Sequence, residues 1–177
     1  MSYVIIKIKI NYMDTSLEIK SFELFDKKWA LLTAGTIENH NSMTISWGGT
    51  GTLWSKPVVT VYVKPCRYTH IFMEENDYFV VSFSPEEYRK KLLIMGSKSG
   101  RENNKDELSG LTPVTYKNVT IYQEAEMTII CKKIYHQQFD LKNIPQKDID
   151  TYYLKEEPHT MYVGEVIDIL QKGVKRC

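Results

Sequence analysis

Asn41-Ser42-Met43-Thr44-Ile45-Ser46-Trp47-Gly48-Gly49-Thr50-Gly51, followed by Lys56-Pro57-Val58-Val59-Thr60-Val61-Tyr62-Val63-Lys64-Pro65-Cys66-Arg67-Tyr68-Thr69, sets two runs of strand-forming residues apart with small hydroxyl and glycine residues. The second run is rich in β-branched residues and alternates in character, so it reads as a strand that stops at a proline and a cation. A later loop, Gly96-Ser97-Lys98-Ser99-Gly100-Arg101, repeats the same chemistry after an expected helix. Backbone donors freed by glycine, hydroxyl donors and a guanidinium are what a phosphate dianion needs, because each bond gains from the ligand's full charge. On the residues alone the plainer readings stay open. Thr44 and Ser46 fit a solvated strand face, and the 96–101 loop fits a helix C-cap with a turn.

Outward from these stretches the chain reads as mostly strand. Residues 29–34, 58–64, 78–83, 119–122, 125–135 and 161–170 are rich in β-branched and aromatic side chains. Turns are expected at Gly35, at Gly48-Gly49-Thr50-Gly51, at Ser55-Lys56-Pro57 and at Asn76-Asp77. Ser84-Pro85-Glu86-Glu87 predicts a helix with a serine N-cap, proline at its first position and the glutamate of a capping box. Tyr88, Leu92 and Met95 fall on one face of that helix, Glu86–Lys90 and Glu87–Lys91 form i,i+4 pairs, and Gly96 ends it. Shorter helices are expected at 69–75 and at 105–109 before Gly110, and 140–158 reads as a polar, exposed excursion with one helical turn. Many short strands with few helices predict a mainly β protein, a barrel or sandwich.

Composition limits the function classes. The 177 residues are 42% hydrophobic, enough for one well-buried core, so one domain is expected. Lys and Arg total 23 against 22 for Asp and Glu, so no general field draws nucleic acid or an anionic membrane. The apolar runs fall far short of the ~20 residues that span a bilayer. The N-terminal segment lacks the pattern of a secretory signal, and the expected location is cytoplasmic. Cys66, Cys131 and Cys177 are odd in number and widely spaced, which argues for reduced thiols. His40, His70 and His136 show no ligand spacing with one another or with the cysteines, so no metal site is expected. No nucleophile elbow, Walker loop or dinucleotide fingerprint is present.

The chain resembles the flavin reductase-like family in its flavoredoxin-type branch. The resemblance rests on Trp29-Ala30-Leu31-Leu32-Thr33-Ala34-Gly35, Asn41 to Gly48, Lys56 to Val63, Arg67-Tyr68-Thr69, Gly96 to Arg101 with Lys105, and His159-Thr160-Met161-Tyr162-Val163-Gly164-Glu165-Val166. It covers roughly residues 20 to 170. It implies an FMN-binding split β-barrel, working as a homodimer with a flavin near each subunit interface. Family members tend to begin near Met13, so residues 1–12 read as an N-terminal extension, an edge strand or a disordered lead, and 13–177 as the domain.

The resemblance puts Asn41, Met43, Thr44, Ile45, Ser46, Trp47 and Gly48 along the flavin ring edge and ribityl chain. Arg67, Tyr68 and Thr69, with Ser97, Ser99, Gly100, Arg101 and Lys105, would close on the phosphate. Backbone amides at the ring edge suit the negative charge that reduced flavin gathers. His159 is the catalytic-side candidate, near where nicotinamide docks, and a structural histidine is its plain alternative. The implied reaction is hydride transfer from NADH or NADPH to flavin, with electrons passed to a free flavin or a redox protein. The alternatives are a flavin-carrying electron-transfer protein without NAD(P)H activity and a non-enzymatic split-barrel binding module.

Overall fold

The computed structural model describes residues 20–172. The 1–12 extension and Cys177 therefore lie outside the described residues. A short helix α1 (Ser21–Asp26) leads into β1 (Ala30–Thr36), β2 (Asn39–Ile45), β3 (Gly48–Leu53) and β4 (Lys56–Val63). Then come α2 (Tyr68–Glu75), β5 (Tyr78–Phe83), α3 (Arg89–Ser97), α4 (Lys105–Ser109), β6 (Pro113–Tyr116), β7 (Val119–Tyr122), β8 (Met127–Gln138), α5 (Gln146–Tyr152) and β9 (Thr160–Gln171). The chain is mainly β, as its sequence predicts.

Seven strands form one antiparallel sheet in the order β2-β1-β5-β8-β9-β4-β3, and β6 and β7 form a separate hairpin. The period-two alternation of each central strand supplies two buried faces. Ala30, Leu32 and Ala34 of β1, Phe79, Val81 and Phe83 of β5, and Met127, Ile129 and Cys131 of β8 join one cluster with Ile45 of β2 and Val59, Val61 and Val63 of β4. Strands at opposite ends of the order share that core, so the sheet curls around it. The opposite faces are covered by smaller layers: Leu31 packs with Leu92 and Met95 of α3, and Val80 and Ile130 pack with Val119. Register slips at Ile130/Cys131 and Lys133/Tyr135 in the long β8–β9 pair mark bulges, which sharpen twist and assist the curl.

Four local expectations need correction. The Gly48-Gly49-Thr50-Gly51 cluster is strand β3, paired with β4 from Gly48↔Val61 to Leu53↔Lys56, because a small-residue edge strand still completes the ladder. The turn lies at Trp54-Ser55, both with φ in the left-handed region (51° and 58°), as a two-residue hairpin loop requires. Lys56 and Pro57 belong to β4. The helix expected from Ser84 begins instead as a 3₁₀ turn at Glu86–Tyr88, with no side-chain cap on either piece. Glu86 faces Arg89 at 4.0 Å, and Lys91 is drawn to the Gly110 carbonyl at 2.6 Å. Gly96 does not end α3, which runs through Ser97; a Cβ there would lie 3.1 Å from that of Thr44, so its role is close approach to β2.

The excursion holds more structure than one turn: a 3₁₀ turn at Leu141–Asn143 and then α5. Strand β2 takes up the strand reading of Thr44 but starts earlier, at Asn39, and β6 is a strand that the sequence pattern does not announce. Both are short or polar, and their backbones are held by neighbours rather than by their own side-chain pattern. Among the described residues no helix is long and apolar enough to cross a membrane. Cys66 and Cys131 are free thiols, the first exposed and the second buried.

Candidate functional site

The 41–69 stretch and the 96–101 loop meet in space. A cavity of about 240 Å³ is lined by Asn41 and Met43 of β2, Arg67, Tyr68 and Thr69 at the start of α2, and Ser97, Ser99, Gly100 and Arg101 beyond α3, with Lys105 of α4. Gly96, Lys98 and Cys66 complete the wall. Every residue assigned to the phosphate end from sequence is here. The lining is strongly cationic.

Local hydrogen bonds fix this wall. Asn41 donates from Nδ2 to the Thr69 hydroxyl at 2.7 Å. The Arg101 amide donates to Ser99 Oγ at 3.2 Å, and Asn103 Nδ2 to the Ser99 carbonyl at 3.0 Å, so the loop closes on itself. The Arg101 guanidinium donates to the Cys66 carbonyl at 3.2 Å and lies over the Tyr68 ring at 5.1 Å. Arg67, the N-cap residue of α2, has extended φ and ψ. Its guanidinium makes no hydrogen bond or ion pair among the described residues, and its charge reaches Lys105 on one side and His159 on the other.

Lys105 is the buried cation of the group, with 7% of its surface exposed. Its Nζ donates to the Ser42 carbonyl at 2.5 Å. Burial lowers its ammonium to about 8, with Arg67 adding to the fall and Asp106 opposing it. A polar chain holds α4 in place. Tyr122 donates to Asp106 Oδ1 at 2.5 Å and His40 Nε2 lies 3.0 Å from Oδ2, while the Ser42 hydroxyl links Tyr122 (2.9 Å) to Thr33 (2.8 Å). Burial pushes the Asp106 carboxyl up, yet the hydrogen bonds with His40 and Tyr122 outweigh it and keep the group below the usual carboxylate range.

Of the residues assigned to the ring edge and ribityl chain, Asn41 and Met43 line the cavity, whereas Thr44, Ile45, Ser46, Trp47 and Gly48 lie outside it. Ile45 is buried in the main core, and the Thr44 hydroxyl is committed to the Leu92 carbonyl at 2.5 Å. Gly48 abuts Phe25 so closely that a Cβ would sit 2.5 Å from the ring. Of these side chains the structure leaves Ser46 and Trp47, in the link between β2 and β3, free to meet a ligand; the others offer backbone groups.

Trp47, 43% exposed, begins an aromatic group that sequence reasoning did not assemble. Its ring meets Tyr152 edge-on at 5.3 Å and His159 at 5.2 Å, and Tyr153 lies 3.0 Å from His159 Nδ1. Lys64, at the end of β4, ties down the excursion through the Tyr152 carbonyl (3.0 Å) and Glu156 (2.5 Å). Desolvation, reinforced by Lys64 and Arg67, lowers His159 to about 4, so its imidazole is neutral at physiological pH. The adjacent Tyr152-Tyr153 pair in an otherwise polar segment was the available signal. The arrangement is thus a cationic cavity joined, through Arg67, to a neutral histidine in an aromatic setting.

Residues 22–176 match the model of the flavin reductase like domain. An uncharacterized protein of Archaeoglobus fulgidus is 27% identical over 148 residues, which are 82% of this chain and 73% of that one. Among solved structures, the flavoredoxin of Methanosarcina acetivorans superposes with a TM-score of 0.66 at 20% identity, covering 82% of this chain and 69% of that one. An FMN-binding protein of Thermus thermophilus gives 0.65 at 20% identity, with 81% and 71% covered. A protein with a split barrel domain from Shewanella frigidimarina gives 0.66 at 14% identity, with 94% and 79% covered. The curled sheet described above is the split barrel of these structures.

Proposed function

The chain belongs to the flavin reductase-like family, and from that premise we propose that it binds FMN and serves as an NAD(P)H-dependent oxidoreductase. The observation that carries the reading is the buried Lys105 ammonium in a cavity it shares with Arg67, Ser97, Ser99 and Gly100. The donor set fits a phosphate dianion. An ammonium has three donors and Lys105 spends one on Ser42, while Arg67 has a whole guanidinium to offer.

In this reading the phosphate and ribityl end lie in the cationic cavity and the ring extends toward Trp47. Lys105 and Arg67 supply charge, the serine hydroxyls and the Gly100 backbone supply directed donors, and the backbone of residues 45–48 faces the ring edge. When bound, FMN supplies hydride acceptance from NADH or NADPH and onward electron transfer to a free flavin or a redox protein. His159, kept neutral and oriented by Tyr153, positions the nicotinamide beside the ring. The aromatic group of Trp47, Tyr152 and Tyr153 narrows the approach and excludes water.

The assembly in this reading is a two-fold homodimer. Strand β3 is a sheet edge, and Trp54 at its end is 65% exposed, which is the kind of apolar edge that a second copy covers. The test of function is direct: purify the chain, reconstitute with FMN, and follow the flavin spectrum under anaerobic NADH and NADPH. Bleaching by either donor supports the reading. A yellow protein that neither donor bleaches leaves the electron-transfer alternative, and a colourless one that ignores FMN removes both.

A further inference from the structure

The excursion between β8 and β9 is held without a core. From Lys132 to His159 no residue is buried, and none belongs to the apolar clusters that build the sheet's two faces. A helix of seven residues is marginal on its own, so α5 depends on ties to the rest of the chain. The base of the excursion is closed: the Phe139 amide donates to the His159 carbonyl at 2.9 Å, and Gln138 Nε2 to the Pro158 carbonyl at 3.2 Å. Beyond that base, among the described residues, the hydrogen bonds that join 140–158 to a strand outside its own stem are the two from Lys64.

Lys64 follows Val63, the buried last residue of β4, so its backbone is fixed by the sheet. Its ammonium donates to the Tyr152 carbonyl and to Glu156, and lies 5.5 Å from the centre of the Tyr153 ring. Tyr152 in turn meets Trp47, and Tyr153 meets His159, so one cation stands behind both aromatic contacts of that wall. The flavin reading gives Lys64 no part. Its side chain is 16% exposed and that of Glu156 is 46% exposed, which leaves the pair open to salt from one side. An ion pair of this kind is weak enough to open at equilibrium. With the base closed and the far end held by one cation, 140–158 has the form of a hinged flap.

We propose that Lys64 is a positioning residue for the hydride donor: its ammonium latches the 140–158 excursion closed against Trp47 and His159, and release of the latch swings that wall away from the place where nicotinamide docks. The latch is a property of this chain's own residues, and only its donor role rests on the flavin reading. Lys64 acts through Tyr152, Tyr153 and Glu156, which set the outline of the wall and the orientation of the His159 ring.

The latch is tested on the FMN-free chain by hydrogen exchange. In Lys64→Met, which keeps much of the side-chain length and removes the charge, the α5 amides are expected to exchange at least tenfold faster than in the parent, with β5 unchanged. Lys64→Arg, which keeps donors for the carbonyl and the carboxylate, should stay within threefold of the parent. Raising salt from about 0.05 to about 1 M should speed α5 exchange in the parent and not in Lys64→Met. The donor role is tested on the FMN-loaded chain by anaerobic stopped-flow with NADH and NADPH. Lys64→Met should hold FMN within threefold of the parent and lower the limiting reduction rate at least threefold, and Lys64→Arg should restore that rate. By NMR titration, the His159 inflection should rise from about 4 in Lys64→Met and return in Lys64→Arg, because the Lys64 charge is one of the causes that hold it low. Parental α5 exchange in Lys64→Met, equal acceleration in β5, or no rescue by Lys64→Arg overturns the latch. Released α5 with a parental reduction rate, or an unmoved His159 inflection, overturns the donor role. A chain that shows the exchange pattern but ignores FMN, or is bleached by neither donor, sinks the flavin reading and the donor role with it, and keeps the latch.

Discussion

Asn41 on β2 donates its side-chain amide to the Thr69 hydroxyl at 2.7 Å, and both residues are buried. This bond ties the strand that begins the candidate site to the helix that ends it, across 28 residues of chain. The 99–100 backbone passes directly over it.

Gly100 therefore has no room for a side chain. A Cβ there would sit 2.0 Å from Asn41 Oδ1 and 3.0 Å from Tyr68 Cδ1, and Asn41 cannot retreat without losing Thr69. Gly100→Ala is expected to cost roughly 1–3 kcal/mol of stability as an overpacked contact and to weaken FMN at least tenfold, with the far-UV circular dichroism unchanged. Thermal melts and FMN fluorescence titration measure the two effects. Parental FMN affinity would mean that the loop is not part of the cofactor site.

Lys105 sets stability against binding. Its folded-state value of about 8 lies below the usual 10.5, so between those limits the unfolded chain holds more protons. Stability then rises with pH through that window, and below pH 8 the fold carries a buried ammonium. Phosphate binding needs the ammonium, so FMN affinity is expected to fall as pH rises above about 8. Lys105→Met should stabilise the FMN-free protein at pH 7 by about 1–3 kcal/mol and weaken FMN. It should also flatten both pH trends, which melts and titrations from pH 6 to 10 would reveal.

The exposed β3 edge predicts the assembly. Light scattering is expected to give a dimer, and Trp54→Glu, which puts charge on a 65% exposed ring position, is expected to shift it toward monomer. A stable monomer with full FMN affinity contradicts the homodimer.

How much of this was legible in the sequence depended on where each element's stability comes from. Strands β5 and β7 follow their sequence pattern to the residue because β5 buries Phe79, Val81 and Phe83 on one face, and β7 buries Val119 on one face and Tyr122 on the other. β3 reads as a turn in the sequence because its glycines bury little; its backbone ladder with β4 makes it a strand. The phosphate end was legible because cations, serines and glycines announce themselves in sequence and the two segments needed only to meet. Lys105's burial was not, since it depends on Tyr122 and His40 gripping Asp106 from distant strands. The aromatic group around His159 was missed for the same reason, because Lys64 draws a polar excursion back onto Trp47.

The final prediction separates phosphate anchoring from chemistry. Arg67 has no hydrogen-bond or ion-pair partner for its guanidinium among the described residues and lines the cationic cavity, so Arg67→Ala is expected to cost roughly 1.5–3 kcal/mol of FMN affinity, the worth of a charge-assisted bond to phosphate. His159 lies outside that cavity, between Trp47 and Tyr153, and His159→Ala should leave FMN bound while slowing anaerobic reduction by NAD(P)H. Because His159 titrates near 4, the parental reduction rate should show no inflection from this group between about pH 5.5 and 8. Tyr153→Phe should slow reduction less than the histidine change, since it removes the 3.0 Å contact that orients the ring but keeps the ring itself. Stopped-flow reduction and FMN titration on the same samples divide the outcomes. Unchanged FMN affinity in Arg67→Ala transfers the anchor to Lys105 and Arg101, and a parental reduction rate in His159→Ala makes the histidine a structural partner of Trp47.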